Sequence, residues 1–298
     1  MQAVSTMQHL PYRGRLAPSP TGLLHVGHAC TFLTAFQRAL AAHGVLVFRN
    51  EDLDPQRSKP EFARAMLDDL RWLGIRWQEG PDVGGSFAPY QQSRRRELYL
   101  ATWRKLRDGG HIYPCTCSRK DLALAAAAPN EGDDEPLYPG RCRDRIPEAP
   151  SHGSPAGVNW RFMVCDNEAI AFDDLGQGPQ IFVAGRDFGD FLIWRRDDVP
   201  AYQLAVVADD AAMHITEVVR GADLLKSTAR QLLLIRALGF PVPAYYHCNL
   251  VRDERGMRLA KRHAALALRT LREQGRAPEE VLRHCRNVHH GGTERDRT

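Results

Sequence analysis

Three groups of residues have types and spacings suited to chemistry. The first is PSPTGLLHVGH, Pro18 to His28. Its histidines, His25 and His28, can donate hydrogen bonds to phosphate oxygens as charge builds during a displacement. Gly22 and Gly27 carry no Cβ and let backbone approach a ligand closely. The second is RLAKR, Arg258 to Arg262, in a glycine-containing loop near the far end of the chain. A lysine on such a loop, Lys261, can swing onto a triphosphate. The third is the pattern C-x-C-x20-Y-x3-C formed by Cys115, Cys117, Tyr138 and Cys142. Thiolates at short spacing with a later pair can close a tetrahedral metal site. Taken singly, each group has an ordinary alternative: surface histidines at a helix start, a basic surface loop, buried free cysteines. Cys30, Cys165, Cys248 and Cys285 show no comparable clustering and read as packing residues.

The elements that must position these groups follow from periodicity. YRGRLA (12–17) reads as a short strand, and the proline-rich loop after it leads into a helix over 26–43. Gly44 ends that helix, and VLVFRN (45–50) is a continuous apolar run of the kind buried parallel strands show. Pro60 opens a second helix that stops at Gly74. Helix 92–108 follows. From His111 to Trp194 short strand-like pieces, turns and the cysteine group replace the alternation, which marks an insertion. Alternation resumes with a helix at 202–213, a strand at 214–218, a helix at 223–238 and a strand at 245–250. The fold expected is α/β, a split parallel sheet with right-handed crossovers. In open α/β sheets ligands sit at the carboxyl ends of strands, and helix N-termini attract phosphate. That context lifts the histidine motif above its ordinary alternative.

The chain of 298 residues has a formal net charge of +4, which permits an anionic partner without demanding one. No apolar run approaches the ~20 residues needed to cross a bilayer, and the N-terminus lacks the apolar core of a signal peptide. Seven cysteines, an odd number with one local group, fit a reducing compartment. A cytoplasmic protein is expected, with no membrane partner and a monomeric state.

HVGH resembles the HIGH signature of class I aminoacyl-tRNA synthetases, and RLAKR resembles their KMSKS loop. RLAPSPTGLLHVGH, FRNEDLDPQR, AYQLAVVADD and ITEVVRGADLL are similar to the glutamyl/glutaminyl branch, in the same order along residues 13–262. The resemblance implies a Rossmann-type catalytic core that uses ATP with magnesium and forms an aminoacyl-adenylate. Departures are small: Val26 stands for isoleucine, and Arg258 and Ala260 stand for the usual lysine and serine of the loop. Glutamate needs partners for two carboxylates and one ammonium, and arginine reads carboxylates bidentately. The resemblance implies glutamate contacts at Arg15, Leu16, Ala17, Pro18, Ser19, Glu51, Tyr202 and Arg220. It implies ATP contacts at His25, Gly27, His28 and Lys261, with the two histidines and the lysine catalytic. Short relatives in this branch carry zinc on C-x-C…Y-x3-C. One structural zinc on Cys115, Cys117, Tyr138 and Cys142 is therefore expected within an insertion at 111–194. The core halves would then be 12–110 and 195–262.

After Arg262 only 36 residues remain (298 minus 262), which read as a short helical tail over 263–298. That leaves no room for an anticodon-binding domain. The resemblance is therefore closest to the truncated glutamyl-Q tRNA(Asp) synthetase branch. It implies that glutamate is attached to queuosine in the anticodon of tRNA(Asp), where an unpaired base is accessible. Charging of a tRNA 3′ end and a non-catalytic tRNA-binding role are the rival expectations.

Overall fold

The structure, a computed structural model, describes residues 11–117, 137–143, 153–251 and 267–290, with side chains to 286. Lys261 and its RLAKR loop lie outside the described residues. Strand β1 (Arg13–Leu16) leads into α1 (Val26–Ala41), β2 (Val45–Phe48), α2 (Pro60–Trp72) and, after a short 3-10 turn, α3 (Arg96–Asp108). Five strands come next: β3 (Ile112–Cys115), β4 (Asn159–Phe162), β5 (Ala169–Asp174), β6 (Gly178–Val183) and β7 (Phe191–Trp194). Then come α4 (Tyr202–Ala212), β8 (Glu217–Gly221), α5 (Leu225–Leu238), β9 (Ala244–Cys248), α6 (Leu268–Glu273) and α7 (Pro278–His290).

The parallel pairs form the functional side of the molecule. β1 runs parallel to β2, with Arg15 opposite Val47. β8 runs parallel to β9, with Arg220 opposite His247. β1 is tied beside the start of β8: the Thr216 amide donates to the Arg13 carbonyl at 2.9 Å, and the Arg13 amide donates to Thr216 Oγ1 at 2.9 Å. These bonds hold Thr216 just outside the ladder. The strand expected at 214–218 accordingly begins at Glu217, after His214 turns the chain at φ 54°. β5 joins the free edge of β9 and carries β6 as an antiparallel hairpin partner. Segment 111–194 therefore contributes to two sheets: this one, and a separate antiparallel sheet in the order β3-β4-β7.

Side-chain burial explains the layering. α1 and α2 turn Phe32, Leu33, Met66 and Leu70 onto Leu16, Leu46 and Phe48 of the first two strands. α3, α4 and α5 bury Trp103, Leu204 and Leu234 against Trp160, Phe191 and Trp194 of the antiparallel sheet. Trp103 and Trp160 meet edge to face with centroids 5.0 Å apart. The α1–β2 turn is tight: a Cβ on Gly44 would lie 2.5 Å from the Tyr12 carbonyl oxygen, so glycine alone fits there.

Cys30 on α1 and Cys285 on α7 are joined as a disulfide, 255 residues apart. This corrects their assignment as independent packing residues, because nothing in their local spacing marks a contact that only docking of α7 on α1 creates. Among the described residues no helix is long and apolar enough to cross a membrane.

Candidate active site and metal centre

The carboxyl ends of β1, β2, β8 and β9 open on one cavity of about 550 Å³. Its phosphate-like corner is the start of α1. His25 is the N-cap residue, and its Nδ1 accepts the Gly27 amide at 3.1 Å. His28 Nδ1 in turn accepts the His25 amide at 3.2 Å, closing a capping box. Both Nδ1 atoms are acceptors, so each neutral ring carries its proton on Nε2. The rings lie 3.7 Å apart, centroid to centroid. A Cβ on Gly27 would come within 3.0 Å of His25 Cε1, so the missing side chain is what lets the His25 ring fold back over the helix start. The amides of His25, Gly27, His28 and Ala29 are satisfied within the cap, so the positive end of the α1 dipole and the two Nε2 donors are what suit this corner to an anion.

The other end of the cavity is ionic. Arg15, Glu51, Tyr202 and Arg220 line it, and Arg15, Glu51 and Arg220 are buried. Behind Glu51 stands the fully buried Arg49, which donates to Glu51 at 2.9 Å and to Asp210 at 2.6 Å. Arg15 donates to the Val219 carbonyl at 2.9 Å and lies 3.6 Å from Asp210. Burial pushes the Glu51 carboxyl above its usual value, while Arg49 and Arg15 pull it back. Burial likewise pushes the Tyr202 phenol up, so the hydroxyl stays protonated at neutral pH. Asp209 extends the network behind the site. It accepts from Arg95 at 2.6 Å, Gln92 at 2.7 Å and Tyr99 at 2.9 Å. Asp209 also lies 3.7 Å from Arg49 Nε, so a buried guanidinium among three carboxylates fixes Glu51 in place. What this end can bind is a small zwitterion with additional negative charge.

Away from the cavity, the Sγ atoms of Cys115, Cys117 and Cys142 lie within 4.8 Å of one another. Tyr138 Oη is 3.4 Å from Cys115 Sγ and 3.6 Å from Cys117 Sγ, and the two thiols of Cys117 and Cys142 are 3.6 Å apart. Tetrahedral zinc with ordinary Zn–S and Zn–O lengths separates its sulfurs by about 3.8 Å and sulfur from oxygen by about 3.5 Å. The Cys117–Cys142 separation and the two Tyr138 Oη–Sγ separations lie close to those values. Burial opposes ionisation of Cys142, but hydrogen bonds from Tyr138 and the Thr116 backbone outweigh it and bring the thiol down to about 7. The Arg161 guanidinium stacks 4.0 Å from the Tyr138 ring centroid and holds it against the cysteines.

The family described as tRNA synthetases class I (E and Q), catalytic domain, matches residues 12–295. The chain belongs to this family. It is therefore a ligase built on the class I catalytic domain. The Glutamyl-Q tRNA(Asp) synthetase of Symbiobacterium thermophilum is 50% identical over 274 residues, which are 91% of this chain and 84% of the relative. The protein of the same name from Nitratidesulfovibrio vulgaris is 48% identical over 264 residues, 88% of this chain and 82% of the relative. Among solved structures, a glutamate tRNA ligase from Elizabethkingia meningosepticum, in complex with its amino acid, superposes with a TM-score of 0.78 at 27% identity. That match covers 93% of this chain and 60% of the longer ligase.

In this class I domain the cavity brings together Arg15, Ala17, Pro18, Ser19, His25, Gly27, His28, Glu51, Tyr202 and Arg220, all of them expected from sequence. Leu16 is the exception. Strand alternation turns its side chain into the core, fully buried, while Arg15 and Ala17 face the cavity. Its place in the expected contact set came from proximity in the motif. Sequence reasoning missed Asn249, Leu250 and Val251, which line the cavity just past β9. The rule that ligands gather at strand carboxyl ends was the available signal. It also missed Arg49 and Asp210, whose role rests on a buried contact 161 residues apart in sequence.

Proposed function

We propose that this ligase activates glutamate with ATP, without tRNA, and transfers it to queuosine in the anticodon of tRNA(Asp). The observation that carries the first half is the single cavity, with the His25–His28 corner at one end and Arg15, Glu51 and Arg220 at the other. In the first step a glutamate carboxylate oxygen attacks the α-phosphorus of ATP, and the bond to pyrophosphate breaks. Nε2–H of His25 and His28, and Lys261 from its loop, stabilise the developing charge, with magnesium screening the phosphates. Arg15 and Arg220 hold the carboxylates, Tyr202 adds a hydrogen bond, and Glu51 takes the ammonium. In the second step a hydroxyl of the queuosine ring attacks the adenylate carbonyl and AMP leaves. No side-chain nucleophile enters either step, so positioning and electrostatics supply the catalysis.

Support for the acceptor comes from the relatives. The two with glutamyl-Q names match at 50% and 48% identity, whereas a glutamate–tRNA ligase from Nitrosococcus oceani matches at 41% with 60% of its length covered. The Cys115–Cys117–Tyr138–Cys142 group fits a structural zinc that staples the insertion. The enzyme would act in the cytoplasm, where its tRNA is found.

Exchange of labelled pyrophosphate into ATP tests activation: it should depend on glutamate and not on glutamine or aspartate. Equal exchange with glutamine would overturn the assignment of Arg15 and Arg220 to two carboxylates. For the acceptor, tRNA(Asp) carrying queuosine should take labelled glutamate while tRNA(Asp) carrying guanine should not. After nuclease digestion the label should travel with an anticodon fragment. Label on the terminal adenosine would instead identify a 3′-end glutamyl-tRNA synthetase.

A further inference from the structure

Arg220 does not stand alone at the ionic end of the cavity. It lies opposite His247 in the parallel ladder of β8 and β9, and its Nε approaches His247 Nε2 at 3.1 Å. Arg220 Nη2 donates to Thr228 Oγ1 at 2.8 Å, and Nη1 points at the Tyr202 hydroxyl at 3.4 Å. His247 is fully buried, and its other nitrogen, Nδ1, meets Asp174 Oδ2 at 2.5 Å. Asp174 stands at the end of β5 and is itself held: its Oδ1 accepts the amides of Gly176 and Gln177 at 2.9 Å and of His247 at 3.0 Å. None of these contacts beyond Arg220 and Tyr202 belongs to the cavity wall.

The protons of this chain follow from donor accounting. A carboxylate only accepts, so Nδ1 of His247 carries the hydrogen and Nε2 presents a lone pair. The Arg220 Nε–H donates to that lone pair, and Thr228 Oγ1 lies 3.2 Å from the same nitrogen. A guanidinium has five N–H donors. Three are engaged by His247, Thr228 and Tyr202. Five minus three leaves two, one on each terminal nitrogen, the number of N–H groups that a carboxylate accepts bidentately. The inner edge of the guanidinium is thus consumed by Nε2 and Thr228, and the outer edge is left to the cavity. An imidazolium at His247 would set N–H against N–H. Burial and the neighbouring Arg220 push its pKa down to about 4 in spite of Asp174, which keeps the lone pair available.

We propose that Asp174 and His247 are positioning residues that hold the Arg220 guanidinium in the rotation that presents its outer N–H pair to a carboxylate of the substrate. This rests on the reading that Arg220 binds glutamate. Asp174→Asn makes the case sharply. Its carbonyl must stay where three backbone amides donate, so its NH₂ faces Nδ1. The proton then moves to Nε2 and opposes Arg220 Nε–H. The carboxylate reader turns although no cavity residue has changed.

The experiment measures glutamate-dependent ATP–pyrophosphate exchange by the full chain, with KM for glutamate and for ATP determined separately. Nitrogen-15 spectra of the ring of His247 are recorded alongside. Wild type should show the Nδ1–H tautomer, and Asp174→Asn the Nε2–H tautomer. Asp174→Asn and His247→Phe should raise KM for glutamate about 10- to 100-fold, the scale of a lost charged hydrogen bond. KM for ATP and kcat should stay within about threefold, because the contact is made in both ground and transition states. His247→Gln keeps an acceptor oxygen at the Nε2 position and should recover much of the loss seen in His247→Phe. If Asp174→Asn does not fold, the His247 pair decides. An Nε2–H tautomer in wild type overturns the proposal. So does an unchanged KM for glutamate in His247→Phe while Arg220→Ala raises it. If Arg220→Ala itself leaves KM for glutamate unchanged, the reading of Arg220 falls first, and the proposal with it.

Discussion

Gly27 sits between the two histidines at the start of α1, and its missing side chain sets how close His25 lies to the helix start. Gly27→Ala would place a methyl 3.0 Å from His25 Cε1 and force the ring outward. Misplacing a catalytic donor by a fraction of an ångström to 1 Å costs on the order of 10- to 100-fold in rate. kcat for pyrophosphate exchange should fall by that factor while KM for glutamate, set at the far end of the cavity, stays within about twofold. On the proposed mechanism, Lys261→Ala removes a charge that acts on phosphoryl oxygens. Loss of one such contact costs about 2.7–4 kcal/mol in the activated complex, so turnover should drop about 100- to 1,000-fold. Ala260→Ser, which restores the residue usual in the loop, should be neutral or mildly improving. Unaltered exchange kinetics in Lys261→Ala would remove the RLAKR loop from the mechanism.

At the scale of elements, buried charge decides how helices dock. Asp69 on α2 is fully buried, its carboxylate oxygens make no hydrogen bond among the described residues, and Arg272 of α6 lies 3.5 Å away. Burial pushes Asp69 up from 3.8 to about 6, with Arg272 only partly offsetting it. An acid whose folded pKa exceeds its unfolded one takes up protons on folding. Stability from this group is therefore greatest below the unfolded value and declines as pH rises from 4 through 6. Asp69→Asn should then stabilise the protein at pH 7.5 by about 1–3 kcal/mol, an advantage that vanishes below pH 4. Thermal melts of the two proteins across pH 4 to 7.5 check this; parallel curves would refute it. Arg49 is the opposite case. Arg49→Met leaves Glu51, Asp209 and Asp210 without their shared cation. It should cost about 3–5 kcal/mol in urea unfolding, beyond any effect on glutamate binding.

For the whole molecule, the cysteine–tyrosine group ties residues 137–143 to β3, and Arg143 adds bonds to Asp190 and the Val164 carbonyl. Protein purified without chelator should contain about one zinc per chain. Cys117→Ser, or prolonged chelation, should release the metal and open protease sites within residues 111–145, while the α1–β1 half stays resistant. Metal-free wild type that resists protease equally would dismiss the site as a structural staple. The exchange activity of the chelated protein then measures how far the antiparallel sheet supports the cavity. α3, α4 and α5 pack on that sheet, and α4 carries Tyr202 and Asp210.

The sequence by itself determined the elements around the cavity, because local rules place them. Pro60 opens α2, Gly44 closes the α1–β2 turn, and apolar spacing marks α1 and α5. It also marked most of the residues that line the cavity: HVGH opens α1 and VVRG ends β8, and in an α/β unit helix starts and strand ends share one edge of the sheet. Only the tertiary structure decided what stands behind those residues. Arg49 meets Asp210, Asp174 meets His247, and Cys30 meets Cys285 across 161, 73 and 255 residues. No local periodicity encodes such contacts. Leu16 shows the same limit within a single motif. It belongs to the matched string, yet the pleat of β1 sends it to the core and its neighbours to the cavity. Spacing tells which residues can share a strand end, and packing tells which of them face the cavity and which partners hold them there.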